Sequence, residues 1–201
     1  MKIILSYFLF FCATSIFSQN YIVDNLLITD VFKDVRDGRL YRSVQIGEQI
    51  WMAENLKYEA KSGTVCAHAF TEYYETVGLL YNWETAKNVC PTGWHLPSNE
   101  EWDKLIFTLG GDSIAGGKMK STEYWQKPNV GADNSSGFTA LPSGYFGSDG
   151  TYWTCCKAFY WSSTEENSNR AWCKLLINST KDIKTQSGRK TIKHAVRCVK
   201  D

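Results

Sequence analysis

The chain has 201 residues, with 22 Lys and Arg against 21 Asp and Glu. That length suits one domain of ordinary size. The near-neutral charge excludes the strongly basic surface of a nucleic-acid binder.

Lys2 is followed by the apolar run "IILSYFLFFCATSIF" and then Ser18-Gln19. A short positive start, an apolar core and a small residue at the cut describe a secretory signal peptide. The run falls short of the roughly 20 residues a membrane span needs, and no later segment is apolar enough to cross. Residues 1–18 are therefore expected to be cleaved, and 19–30 read as a leader without a clear period. Residues 31–201 read as a single domain. Seven cysteines are present. Cys12 leaves with the signal peptide, and Cys66, Cys90, Cys155, Cys156, Cys173 and Cys198 remain. An even number in an exported chain reads as disulfides. No C-x-x-C occurs, so zinc-ribbon and thioredoxin-like sites lack support. Adjacent Cys155 and Cys156 are expected to reach different partners, because a bridge between neighbours is strained.

The first predicted element is a hairpin in "RLYRSVQIGEQIWMAENL", with Val44 and Ile46 alternating with Ser43 and Gln45 and a turn at Gly47-Glu48-Gln49. A polar, Tyr-rich loop follows. A first helix is predicted over Asn82–Val89, stopped by Pro91. A second starts at Ser98, where Glu101 completes a capping box. Its face is Trp102, Leu105, Ile106 and Leu109, spaced i, i+3, i+4 and i+7, and Gly110-Gly111 ends it. Short strands are then predicted in "GFTAL", "GTYWT", "AFYWSS", "AWCKLLI" and "KHAVRCV". Turns are predicted at Ser143-Gly144, Ser148-Asp149-Gly150 and Ser187-Gly188. The pattern is α+β, with two grouped helices packed on short antiparallel strands with long loops.

Six blocks, in order, resemble the Fibrobacter succinogenes major paralogous domain: "DVRDGRLYRSVQIGEQIWMAENLK", "GLLYNWETA", "CPTGWHLPSNEEW", "GFTALPSGY", "YWSSTEE" and "VRCVKD". The resemblance covers Val31 to Asp201. It implies a C-type-lectin-like fold, kinship in fold with formylglycine-generating enzymes, and an exported or surface location. It also implies a bridge from Cys90 to Cys198. Two departures stand out. Only Cys66 remains where related sequences often carry two cysteines, and Lys193-His194-Ala195 replaces the usual Gly-Phe-Ser. Cys155, Cys156 and Cys173 look like additions, with one of the adjacent pair expected to bridge Cys173 and the other Cys66.

The chemistry-bearing residues read mostly as scaffold. His95, Glu100 and Glu101 resemble a metal cluster, but Glu101 is needed for the cap and Glu100 suits the positive end of the helix. His68, His95 and His194 share no ligand spacing. Ser163–Asn169 is oxygen-rich enough to suggest calcium, yet reads better as a polar surface loop. A copper oxidase of the formylglycine-generating type would place two thiolates together, which adjacent Cys155 and Cys156 suit poorly. No metal or other cofactor and no catalytic group is expected. Eight Trp and eleven Tyr instead favour recognition, since these residues dominate binding surfaces. Trp51, Trp83, Trp94, Trp102 and Trp161 sit in framework blocks and are expected in the core. Tyr145, Phe146, Tyr152 and Trp153, beside Glu165, Glu166, Asn167, Asn169 and Arg170, form the expected ligand face. The expected function is an exported, non-catalytic binding protein for a glycan or a surface protein, working through the loops of the second half. An accessory subunit of a surface complex is the alternative, and the oxidase the third.

Overall fold

The computed structural model describes residues 21–23, 26–66, 75–150, 152–153 and 156–201, with the side chains of 21–23, 26–29, 65–66 and 153 excepted. The expected signal peptide, His68, Cys155 and the Cys66 side chain lie outside the described residues.

Among the described residues, two six-stranded sheets form the frame. The first contains β1 (Tyr21–Val23), β2 (Leu26–Lys33), β3 (Leu40–Ile46), β4 (Gln49–Met52), β7 (Trp94–His95) and β14 (Val199–Lys200), in the order β1-β2-β3-β4-β14-β7. The segment read as a leader is thus mostly strand. Its pairing with β3 along Ile28 to Lys33 supplies order that its own sequence period does not. The predicted hairpin is β3–β4, closed by the two residues between Ile46 and Gln49, with Gly47 at φ +61°, a conformation glycine adopts without cost.

The second sheet contains β5 (Thr64–Cys66), β6 (Leu79–Tyr81), β10 (Lys157–Asn167), β11 (Arg170–Ile177), β12 (Ile183–Arg189) and β13 (His194–Ala195), in the order β12-β11-β10-β13-β6-β5. A small ribbon pairs β8 (Tyr145–Phe146) with β9 (Tyr152–Trp153). The predicted Ser187-Gly188 turn is instead strand, because β11 pairs with β12 as far as Arg170 opposite Arg189. "GFTAL" forms only a single bridge, Ala140 to Lys120.

Among the described residues, helices α1 (Trp83–Ala86), α2 (Asn99–Thr108) and α3 (Asp112–Met119) accompany the sheets, and residues 75–77 are also helical. The first is shorter than its pattern predicts and is capped by the Asn82 side chain. The second has the capping box of Ser98 and Glu101; such a cap is worth about 1 kcal/mol. It buries Trp102, Leu105, Ile106 and Leu109. The third is absent from the sequence reading, because Gly116-Gly117 looks like a breaker. Those glycines let two backbones close on the helix. The Gly117 N–H donates to the Lys181 carbonyl at 2.8 Å, and a Cβ at either position would overlap the carbonyl of Asp182 or Gly131.

The core falls into two clusters. One joins Trp51, Trp102, Leu105, Met119, Phe138 and Tyr160, and the other Tyr41, Tyr81, Trp83, Trp161, Val196 and Cys198. Trp51, Trp83, Trp102 and Trp161 are fully buried, as the framework blocks predict; Trp94 is half-buried and stacks on Phe32 at 4.4 Å. Arg197 is buried where the clusters meet. Its guanidinium donates to Asn55 Oδ1 and to the carbonyls of Met52, Phe138 and Thr139, over the Phe138 ring at 4.2 Å.

Cys90 is bonded to Cys198 with Cα atoms 6.0 Å apart and a sequence separation of 108. Cys156 and Cys173 are free thiols, which corrects the expected bridge to Cys173. Trp161 faces Cys173, and Cys156 lies beside Asn178. Five residues of strand, about 16 Å, therefore separate the two thiols, well beyond disulfide reach.

Candidate functional site

Alternation along the second sheet creates the site. Lys157, Phe159 and Trp161 of β10, Cys173, Leu175 and Ile177 of β11, and Lys184, Gln186 and Gly188 of β12 are cross-strand neighbours on one face. The opposite face carries Ala158, Tyr160 and Leu176 into the first core cluster. The loop after β8 stands over the former face, leaving a cleft of about 670 Å³. Tyr145, Phe159, Leu175 and His194 line its floor, with Lys157, Asp149, Arg170, Gln186 and Arg189 around them.

The floor is aromatic and tightly held. His194 stacks on Phe159 at 4.9 Å and meets Trp161 at 4.2 Å. Tyr145 meets Phe159 edge-on at 5.3 Å. Burial pushes the His194 pKa down to about 3, so this imidazole is neutral and adds no charge to the cleft. Its Nδ1 has no hydrogen-bond partner. Gly188 keeps the face open above it: a Cβ there would lie 3.2 Å from His194 Nε2 and 3.4 Å from the Trp161 ring.

The rim is polar and mostly cationic. Arg170 Nε bonds Glu166 Oε2 and Ser187 Oγ, both at 3.0 Å, and its NH2 group reaches the Ser187 carbonyl at 2.6 Å. Lys157 and Arg189 have no ion-pair partner among the described residues.

Of the nine residues expected at the ligand face, Tyr145 and Arg170 line the cleft. Phe146 and Tyr152 turn instead toward the first core cluster, with the Tyr152 hydroxyl 3.2 Å from the Ser143 carbonyl. Trp153 contributes backbone pairing to Tyr145; its side chain is outside the described residues. Glu165 pairs with Lys190 at 2.9 Å and Glu166 with Arg170. Asn167 Oδ1 accepts from the N–H groups of Asn169 and Arg170, and the Asn169 carbonyl accepts from Lys190 N–H. Ser163–Asn169 is accordingly the β10–β11 hairpin end rather than a free loop, with its carboxylates already ion-paired. Sequence reasoning missed Lys157, Phe159, Gln186, Gly188, Arg189 and His194. The strand period of two carries the first two, and the unusual Lys193-His194-Ala195 marks the last.

His95 belongs to a separate constellation. Its Nδ1 is 2.6 Å from Asp201 Oδ1 and its Nε2 is 2.7 Å from Glu101 Oε1. Partial burial opposes its charge, but the two carboxylates outweigh this and raise its pKa. Burial likewise opposes the Glu101 charge and is outweighed by the Ser98 N–H and by His95, so its pKa is lowered. Glu101 thus serves the cap and His95 together. Among the described residues, no three His, Cys, Asp or Glu side chains converge as a metal site.

The geometry defines an α+β domain with a bridge from the end of its first helical region to its last strand, and a cleft on the outer face of its second sheet. The Fibrobacter succinogenes major domain matches residues 44–200, and the chain belongs to that family. No curated protein and no solved structure matches the chain.

Proposed function

We propose that this is an exported, non-catalytic domain of C-type-lectin-like architecture that binds a glycan in the cleft beneath the β8–β9 ribbon. The carrying observation is the cleft itself: a half-exposed Tyr145 beside hydrogen-bonding Gln186, Ser187 and Arg170. Sugar rings are bound by just this combination of an apolar ring face and planar polar groups. Export is supported by the signal-like start and by the Cys90–Cys198 bond, which belongs to oxidising compartments. The same bond and the pairing of β14 with β4 support the C-type-lectin-like reading. No helix among the described residues is long and apolar enough to cross a membrane.

The test of glycan binding is an array screen followed by calorimetry on the full exported chain. Gln186→Trp, which fills the cleft, is expected to abolish binding at unchanged Tm. Undiminished affinity in that variant would move binding off the cleft. Capture of an envelope partner with no glycan response would favour the accessory-subunit reading.

A further inference from the structure

The cleft has a charge pattern that a neutral sugar does not use. Lys157 opens β10 beside Ile177, whereas Arg189 closes β12 beside Arg170. Ile177 and Arg170 are seven residues apart on β11, so about 23 Å of strand separates the two cations. Both line the cleft, Lys157 from the face that carries Gln186 and Gly188, and Arg189 from the rim, one position beyond Gly188 and alternate to it on the strand; neither has an ion-pair partner among the described residues. The lining carboxylate is Asp149, and Glu166 is occupied by Arg170. Between the cations lie Tyr145, Leu175 and Gln186, with Lys184 opposite Leu175 on the same face of the sheet.

We infer that the cleft takes an acidic oligosaccharide, carrying carboxylate or sulfate on at least two of its units, laid along the strands from Lys157 to Arg189. This deepens the glycan reading and rests on it. One charged ring cannot reach both cations, whereas an oligomer with repeating anions can. Each end then gains a charge-assisted hydrogen bond, stronger than a neutral one, and the middle rests on Tyr145 and Gln186. Because the rim is solvent-accessible, salt screens the attraction.

The experiment compares galacturonate hexamer, its methyl ester, monomeric galacturonate and a sulfated neutral hexasaccharide by calorimetry on the full exported chain. The acid hexamer is expected to bind at least about tenfold tighter than the ester or the monomer, and to weaken as NaCl rises. Lys157→Ala and Arg189→Ala are each expected to lose about tenfold for the acid and nothing for the ester. Both side chains are rim groups, so Tm should stay unchanged. Preference for the sulfated hexasaccharide supports the inference with sulfate as the anion. Equal affinity for acid and ester, with the ester still blocked by Gln186→Trp, overturns the anionic class and leaves the glycan reading standing. No binding of these or of any array saccharide overturns both.

Discussion

At the scale of single residues, ionisation does structural work in this protein. His95 joins Asp201, beside β14, to Glu101 of the α2 cap. Its folded pKa is raised, so its contribution is complete below the ordinary value near 6.5 and disappears as pH climbs through the elevated one. Glu101 has a lowered pKa, so its share is present above about 4.5 and is lost as pH falls through the folded value. Stability from this cluster therefore peaks between those limits. Thermal melts of wild type and His95→Gln should differ most near pH 5.5 and converge as pH rises through the raised His95 value; a constant gap would show that charge is not involved. Arg197 is the opposite case, a buried cation satisfied by amide and carbonyl oxygens, its pKa pushed down to about 10 by burial. Arg197→Met keeps the volume but strands Asn55 Oδ1 and three carbonyls. We expect urea titration to show a loss of about 3–5 kcal/mol.

At the scale of elements, α2 and α3 show two different origins of a helix. The capping box and apolar face of α2 are local properties, and both are present in the fold. Helix α3 contains Gly116-Gly117, which local preference counts against. It persists because its backbone packs against Lys181, Asp182 and Gly131. Gly117→Ala should raise helix propensity by about 1 kcal/mol in isolation yet destabilise the protein by about 2 kcal/mol or more through overlap with the Gly131 carbonyl. Guanidinium denaturation decides between the signs. The same contrast explains Ser187-Gly188: local chemistry reads a turn, but β11 supplies a pairing partner through to Arg189, and Gly188 is needed against the rings of Trp161 and His194.

At the scale of the whole molecule, the last strand closes the architecture. Val199 pairs with Trp51 and His95, and Cys198 is bonded to Cys90 across 108 positions. Loop-closure entropy puts that bond at about 4–5 kcal/mol, a large share of the stability of an ordinary domain. Cys90→Ala with Cys198→Ala should lower stability by about that amount in calorimetric melts. An unchanged Tm would mean the sheet alone holds the chain ends together.

The sequence by itself determined what depends on neighbours along the chain. It specified the β3–β4 hairpin from alternation, the α2 cap from Ser98 and Glu101, and the framework tryptophans from their blocks. The family resemblance added the Cys90–Cys198 bond. Tertiary structure alone decided what depends on cross-strand register. Register put Cys173 beside Trp161 and about 16 Å from Cys156, where no bridge forms. It turned Phe146 and Tyr152 toward the core. It also gathered Lys157, Gln186, Gly188, Arg189 and His194, spread over 38 positions of sequence, around one cleft. Strand pairing is a long-range property: a shift of one residue would send every side chain of β12 to the other face.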